Sequence, residues 1–306
     1  MKRVLAFFTA ALLAFVSQAV LAQPTVRVIT GNPLTVNVGS DASFQVYTTL
    51  VPGAGQFFPS SNTQTADMGV FARMGGVLYA PAFSTHPGGT ATGSIGTNTP
   101  WTPVSISPVT GTGTAADPFT VVVVNDAAAT GLRMTMTVTY VNGENFFRKN
   151  IVFTSATAQT FDVFLGGDIY LANSDSGVPF FSSGAVGGQD CGNPPTYTIL
   201  FIPVTAANRY SARGYSTVWS EIGAGLLSNI INTGCQDNGA ALQWQNRALA
   251  AGGSVAVQAA TSFGAIPPIV QGPQNPNVPI PTLSEWTLML LVGLMAFAGV
   301  AALRRR

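Results

Sequence analysis

Apolar and polar residues alternate strictly over one central stretch of the sequence, from Leu132 to Tyr140. Alternation of this length is typical of a β-strand with one buried face, because successive side chains point to opposite sides. The pair Asn142-Gly143 follows, and it is the pair preferred in tight hairpin turns. Alternation resumes in the segments 147–154 and 161–165. The sequence therefore predicts an antiparallel meander and excludes a mainly helical fold.

Short segments rich in β-branched and aromatic residues recur through the rest of the body, separated by Gly, Pro and Asn turns. Residues 210–219 are predicted to form one of these strands, and residues 220–231 one short helix. Strands throughout with little helix are typical of two packed sheets. We therefore predict an all-β fold, a large antiparallel β-sandwich spanning residues 23–265.

The first 22 residues have the three parts of a secretory signal peptide. Lys2 and Arg3 form a basic start, an apolar run covers 4–16, and small residues lead up to Ala22. This pattern predicts a signal peptide over 1–22 that is cleaved after Ala22. The alternative is an uncleaved membrane anchor.

A proline-rich linker over 266–279 and an uncharged apolar segment over 287–303 follow the body. As a helix the apolar segment would cover roughly 25 Å, the short end of a bilayer span. Trp286 precedes it, where an indole favours the headgroup region. A basic stop that we expect to stay cytoplasmic follows it: Arg304, Arg305 and Arg306. The segment is therefore predicted to be a transmembrane helix, with a buried core helix as the alternative.

A short motif stands just before the apolar segment and consists of Ile280, Pro281, Thr282, Leu283 and Trp286. Together with the single span and the basic end, it resembles the IPTL-CTERM sorting tail, a relative of the PEP-CTERM tails handled by exosortases in Gram-negative bacteria. The resemblance covers residues 280–306 and implies no activity for the body. It implies export, transient anchoring in the inner membrane, processing by an exosortase-like enzyme, and delivery to the cell surface or the extracellular space.

Both ends of the sequence therefore predict one topology, with the body outside the inner membrane. The expected partners are the Sec translocon, an exosortase-like processing enzyme and the membrane lipid around the tail.

The body carries little charge. Between residues 23 and 279 there are eight basic and eleven acidic residues, a net charge of −3. Nucleic-acid binding needs a basic patch, so this composition excludes that class of partner. A surface built mainly from Thr, Ser, Asn, Gln and Gly suits either adhesion or contact with sugars.

Cys191 and Cys235 are the two cysteines of the sequence. An even pair in an exported domain is expected to form a disulfide. A metal site built on two cysteines is the alternative, but the sequence has one histidine and no second cysteine pair. The histidine, His86, is predicted to be a surface residue without a catalytic role, because it precedes Pro87-Gly88-Gly89 in a loop-like stretch.

The best candidate for chemistry is an acidic region that includes Asp162, Asp168 and Asp175. Hard oxygen ligands of this kind could bind Ca²⁺, although solvated loop carboxylates are the alternative, and no cofactor or metal ligand is assigned. Paired carboxylates for glycoside cleavage would need two acids roughly 5 to 9.5 Å apart. The acids available for such a pair are Asp168, Asp175, Asp190 and Glu221. No catalytic residue is assigned.

Several aromatic residues could form a platform that stacks on sugars, or could belong to the core: Trp101, Trp219, Trp244, Tyr170, Tyr197, Tyr210 and Tyr215. Our first prediction of function is a non-enzymatic adhesion or structural protein of the cell surface or extracellular matrix. The first alternative is a carbohydrate-binding module that holds a polysaccharide with Asp168, Asp175, Tyr170 and Trp219. The second is a glycan-active hydrolase or lyase.

Overall fold

The computed structural model describes residues 23–60, 63–86 and 92–264, and strands dominate them, which confirms the predicted all-β class. The strands are β1 (Val26–Thr30), β2 (Leu34–Gly39), β3 (Phe44–Thr48), β4 (Met68–Met74), β5 (Val77–Ala80), β6 (Thr99–Pro100), β7 (Thr102–Ile106), β8 (Phe119–Asp126), β9 (Arg133–Tyr140), β10 (Phe146–Thr154), β11 (Gln159–Asp168), β12 (Ser176–Ser182), β13 (Ala185–Asp190), β14 (Thr198–Pro203), β15 (Arg209–Gly214), β16 (Gln236–Leu249) and β17 (Ser254–Phe263). The helices are α1 (Thr92–Ile95) and α2 (Tyr215–Ala224), with 3₁₀ turns at Phe83–Thr85 and Ala128–Thr130.

Fourteen of these strands form one continuous hydrogen-bonded path. Its order is β6-β5-β4-β11-β16-β12-β13-β14-β17-β10-β9-β8-β7, with β15 beside β16. The long strand β16 pairs with β12 at its start and with β11 along the rest of its length. The path is therefore not divided into the two separate sheets that the sandwich prediction implied.

The predicted meander is present in its first part. β8, β9 and β10 pair antiparallel in sequence, with Met136 opposite Ile151. β11 does not continue this meander, because it pairs with β4 and β16 instead. The alternation in 161–165 correctly predicted a strand, but alternation within one strand carries no information about which neighbour it pairs with.

The largest hydrophobic core lies between two parts of this path, the β11–β16 part and the β8–β10 part. It includes Val163 and Leu242 from the β11–β16 part and Met136 from the β8–β10 part. The rings of Phe153 and Phe161 meet across it with their centroids 4.8 Å apart. The separate three-stranded sheet β1-β2-β3 adds its own apolar residues to the same core.

Helix α2 covers the opposite, outer face of the β4–β11–β16 part. Val218, Trp219 and Ile222 are buried there, and the Trp219 ring lies 5.5 Å from that of Phe71. The prediction of a strand over 210–219 and a helix over 220–231 placed the boundary wrongly. The strand ends at Gly214, because the apolar spacing from residue 218 to 222 lets a helix bury one stripe on the sheet.

The predicted disulfide is confirmed. Cys191 and Cys235 are bonded, with their Cα atoms 5.7 Å apart. The bond joins the end of β13 to the start of β16.

The predicted signal peptide, the predicted linker, the sorting motif and the predicted span at 287–303 all lie outside the described residues. Within residues 23–60, 63–86 and 92–264, no helix has the length and apolar character needed to cross a bilayer.

Candidate carboxylate site

Three carboxylates converge where β11 ends and β16 begins. Asp168 is the last residue of β11 and lies opposite Gly239 of β16. Asp237 is two residues before Gly239, and Asp175 immediately precedes β12. One oxygen from each carboxylate lies within 4.8 Å of the others. Asp168, Asp175 and Asp237 are called the carboxylate site below.

The alternation of β11 places Asp168 on the outer face of the sheet. Phe164 belongs to the cluster under α2, and a Cβ on Gly166 would lie 2.8 Å from the Cδ1 atom of Ile222 in the helix. Side chains two residues apart on a strand share a face. Asp168 therefore lies on the side of the sheet that α2 covers, beyond the helix's first turn.

The absence of a side chain at Gly239 lets the first residue of α2 lie against the site. A Cβ there would be 2.7 Å from the Cα of Tyr215, which is closer than side chains tolerate. Burial, and then the charges of Asp237 and Asp168, raise the pKa of the Tyr215 phenol. Asp67 is a fourth acid nearby. Its main-chain carbonyl accepts the Asp168 N–H at 2.8 Å, and its charge contributes to the raised pKa of Asp168.

A disulfide constrains the position of Asp237, and a tight turn constrains that of Asp175. Cys235, in the disulfide, lies two residues before Asp237 and fixes the start of its strand. Asp175 follows a tight turn in which Ala172 and Asn173 have φ angles of 55° and 61°. Such left-handed angles are uncommon outside glycine and persist only where surrounding contacts impose them.

The carboxylate site is electrostatically uncompensated. Within the described residues, the Oδ1 atoms of all three acids are shielded from solvent and accept no hydrogen bond. Burial, followed by repulsion from Asp237, Asp175 and Asp67, raises the pKa of Asp168 to about 9. Burial and the charge of Asp175 raise the pKa of Asp237 to about 6. Burial also raises the pKa of Asp175.

Of the site residues that the sequence suggested, the structure brings Asp168 and Asp175 together, whereas Trp219 lies on the buried face of helix α2. Trp219 is 1% exposed and packs in the apolar cluster between helix α2 and the sheet, so its ring faces no solvent. Tyr170 is half-buried, with its ring centroid 6.3 Å from that of Phe58.

The remaining acids suggested by the sequence have structural partners. Asp190 accepts hydrogen bonds from the N–H groups of Gly192, Thr196 and Tyr197, and these bonds lower its pKa although burial alone would raise it. Glu221 pairs with Arg213 at 3.0 Å. Asp162 accepts hydrogen bonds from β16. Sequence reasoning missed Asp237; its position two residues after Cys235 was the one available signal.

His86 is buried, and the prediction of a surface histidine is wrong. Its Nε2 atom lies 2.9 Å from Oδ2 of Asp41, and the two side chains are almost fully enclosed. The hydroxyl of Ser43 donates to Asp41 and not to the imidazole. This order lacks the contact between nucleophile and base that a catalytic triad requires.

Comparisons with known proteins identify the tail and the fold. Residues 278–306 match the IPTL-CTERM motif, as the resemblance implied, and no curated protein matches the chain. The chain is similar to a bacterial glucoamylase in complex with acarbose, with 11% identity and a TM-score of 0.51 over 79% of this chain and 32% of that one.

Two further structures align less closely. They are an α-galactosidase from Lactobacillus brevis (9% identity, TM-score 0.41, 78% of this chain and 39% of that one) and a heparan sulfate lyase from Pedobacter heparinus (8%, 0.41, 76% and 33%). The chain thus spans about a third of the length of these structures.

The prediction of a non-enzymatic adhesion or structural protein is contradicted by these comparisons. The fold aligns with part of a glucoamylase, so it is a fold that glycan-active enzymes contain. The disulfide and the sorting tail together indicate an exported protein.

Proposed function

We propose that this chain is an exported carbohydrate-binding protein that contacts a polysaccharide through the carboxylate site and Tyr215. The convergence of Asp168, Asp175 and Asp237 beside a half-buried tyrosine carries the proposal. Carboxylate oxygens accept hydrogen bonds from sugar hydroxyls, and an aromatic ring offers an apolar face to the sugar ring. The likeness of the fold to part of a glucoamylase supports the same class of ligand.

A second aromatic surface lies on the strand that leaves the site. Phe181 of β12 is 40% exposed, and its ring centroid is 4.8 Å from that of Tyr210. At about 3.3 Å per residue, Phe181 is roughly 17 Å along the strand from Ser176, the first residue after the site. This separation suits an extended glycan more than a single sugar.

Binding is tested on a glycan array with the full chain purified in detergent. The Tyr215→Ala and Asp237→Asn variants are expected to lose at least tenfold in affinity for the glycans that the native chain binds. Tyr215→Phe keeps the ring, and Asp126→Asn changes an acid on β8, so both should bind nearly as the native chain does. Absence of glycan binding by the native chain would refute the proposal.

Glycan hydrolysis is a second candidate, favoured by the spacing of the acids. Retaining glycosidases place two carboxyl groups about 5 to 5.5 Å apart, and the oxygens here lie within 4.8 Å of one another. Glycans that bind on the array are incubated with the chain, and new reducing ends are measured. If reducing ends are released by the native chain and not by Asp237→Asn, hydrolysis is supported. If glycans bind and no reducing ends appear, the chain is a binding protein only.

The same proposal includes a route to the cell surface. The signal peptide directs export through the Sec translocon, the span at 287–303 anchors the chain transiently, and an exosortase-like enzyme recognises the motif. Replacing Pro281, Thr282 and Leu283 with alanine should leave the protein in the inner-membrane fraction. Normal delivery of that variant to the surface at the native size would contradict this route.

A further inference from the structure

Among the described residues, no basic side chain forms an ion pair with the carboxylate site. The described ion pairs join other acids, namely Asp41, Asp126, Glu144 and Glu221. Arg213 lies in β15 opposite Gly239, next to the site, yet its guanidinium bonds to Glu221. Several acids in close contact without a counter-charge repel one another, and this costs stability unless protons or a cation neutralise them.

Asp168 gives an observation independent of the clustering. Its side chain belongs to a residue only 3% exposed, yet its Oδ1 atom accepts no hydrogen bond from any described residue. A buried oxygen left without a partner is costly, and native structures rarely retain one without a reason. Asp190 shows that this region can supply backbone donors to a carboxylate, since it accepts three of them.

The spacing of the three acids matches one hard cation. Ca²⁺ binds oxygen ligands at 2.3 to 2.6 Å, so two ligands on opposite sides of the ion are about 5 Å apart. The oxygens of Asp168, Asp175 and Asp237 all lie within 4.8 Å of one another. One ion can therefore contact all three carboxylates without a large movement of the strands.

We propose that the carboxylate site binds Ca²⁺ through Asp168, Asp175 and Asp237. Protein carboxylates fill part of the six to eight positions that Ca²⁺ takes. The remaining coordination positions of the ion are open to sugar hydroxyls, and this step rests on the proposed function. Glycan binding would then depend on Ca²⁺. The cation site itself stands on the geometry of the three acids and does not require that function.

The test measures cation binding to the full chain, purified in detergent and stripped with a chelator. Isothermal titration with CaCl₂ and with MgCl₂ at constant ionic strength is expected to show one saturable Ca²⁺ site with weaker Mg²⁺ binding. Asp168→Asn, Asp175→Asn and Asp237→Asn should each weaken Ca²⁺ at least tenfold. Asp126→Asn, which alters an acid outside the site, should leave it unchanged.

Asp175→Asn protects the test against misfolding, because residue 175 is half-buried in a surface turn and its substitution perturbs the core least. The inference is overturned if the native chain binds no Ca²⁺, or if Asp175→Asn binds it as tightly as the native chain does. Glycan binding is measured in parallel with and without Ca²⁺. If the chain binds Ca²⁺ but no glycan, the proposed function alone is refuted. If the chain binds glycan equally with and without Ca²⁺, and the titration shows no Ca²⁺ binding, the cation site alone is refuted.

Discussion

Two buried carboxylates of this protein have opposite electrostatic surroundings. Asp41 and Asp168 are 1% and 3% exposed, so burial alone would raise the pKa of both. Asp41 accepts hydrogen bonds from Ser43 and Ala82 and pairs with His86, and the net effect of these contacts is to lower its pKa. Asp168 has acids as neighbours, and its pKa rises to about 9.

The difference shows that the burial of a carboxylate and its lack of hydrogen-bond donors or a counter-charge are separate properties. The Asp41 network ties the turn after β2 to the 3₁₀ turn at Phe83–Thr85, and its donors satisfy the charge it encloses. The site around Asp168 offers its Oδ1 atom no hydrogen-bond donor among the described residues, so a proton or an external cation has to neutralise the carboxylate. An unsatisfied buried acid is therefore the better guide to a ligand site than a buried acid alone.

The largest effect is expected from removing the compensated acid. Asp41→Ala leaves His86 and three backbone or hydroxyl donors without their partner, so we expect a loss of about 3–5 kcal/mol in the free energy of unfolding. Urea denaturation of the full chain in detergent measures it. Asp126→Ala, at an exposed ion pair, is the control and should change stability little. A similar small change in both variants would mean that the Asp41 network contributes no special stability.

The next largest effect concerns the bond beside the carboxylate site. Replacing Cys191 and Cys235 with serine should lower the free energy of unfolding by about 2–4 kcal/mol, because the bond closes a long loop in the unfolded chain. The same variant should weaken Ca²⁺ binding, since Asp237 loses its tether. The two measurements are urea denaturation and calcium titration. Unchanged calcium affinity would show that the strand pairing of β16 suffices to place Asp237.

The smallest effect, counted per pH unit, is a change in pH dependence. Without calcium, Asp168 binds its proton more tightly in the folded state, with a pKa of about 9 against an ordinary value of 3.8. The free energy of unfolding should therefore fall as the pH rises between these values, by up to about 1.4 kcal/mol per pH unit. Asp168→Asn should remove this decline and be the more stable protein at pH 8. An equal slope in both proteins, measured by denaturation in chelator, would contradict the assigned pKa.

The sequence predicted those parts of the fold that depend on local pattern. Alternation in 132–140 and the Asn142-Gly143 turn predicted β9, β10 and the hairpin between them, and the cysteine pair predicted the disulfide. It failed for residues 215–219, where the aromatic and β-branched residues that favour a strand are buried by a helix instead.

The candidate site was only half predictable, for a physical reason. Asp168 and Asp175 are close in sequence, so one acidic loop indicated both. Asp237 joins them only because β16 pairs with both β11 and β12. The Asp41–His86 contact likewise joins residues 45 positions apart, and nothing in either local segment indicates it. Long-range pairing decides both sites, and a single sequence does not show it.

The Cys191–Cys235 bond lies at the exposed edge of the site and ties down the strand that carries Asp237. Thiols stay reduced where the chain is synthesised and are oxidised after translocation. A newly made copy thus lacks the tether, and the third acid gains its fixed position only after export. Export would then act as the maturation step, keeping the protein latent until it has left the cytosol.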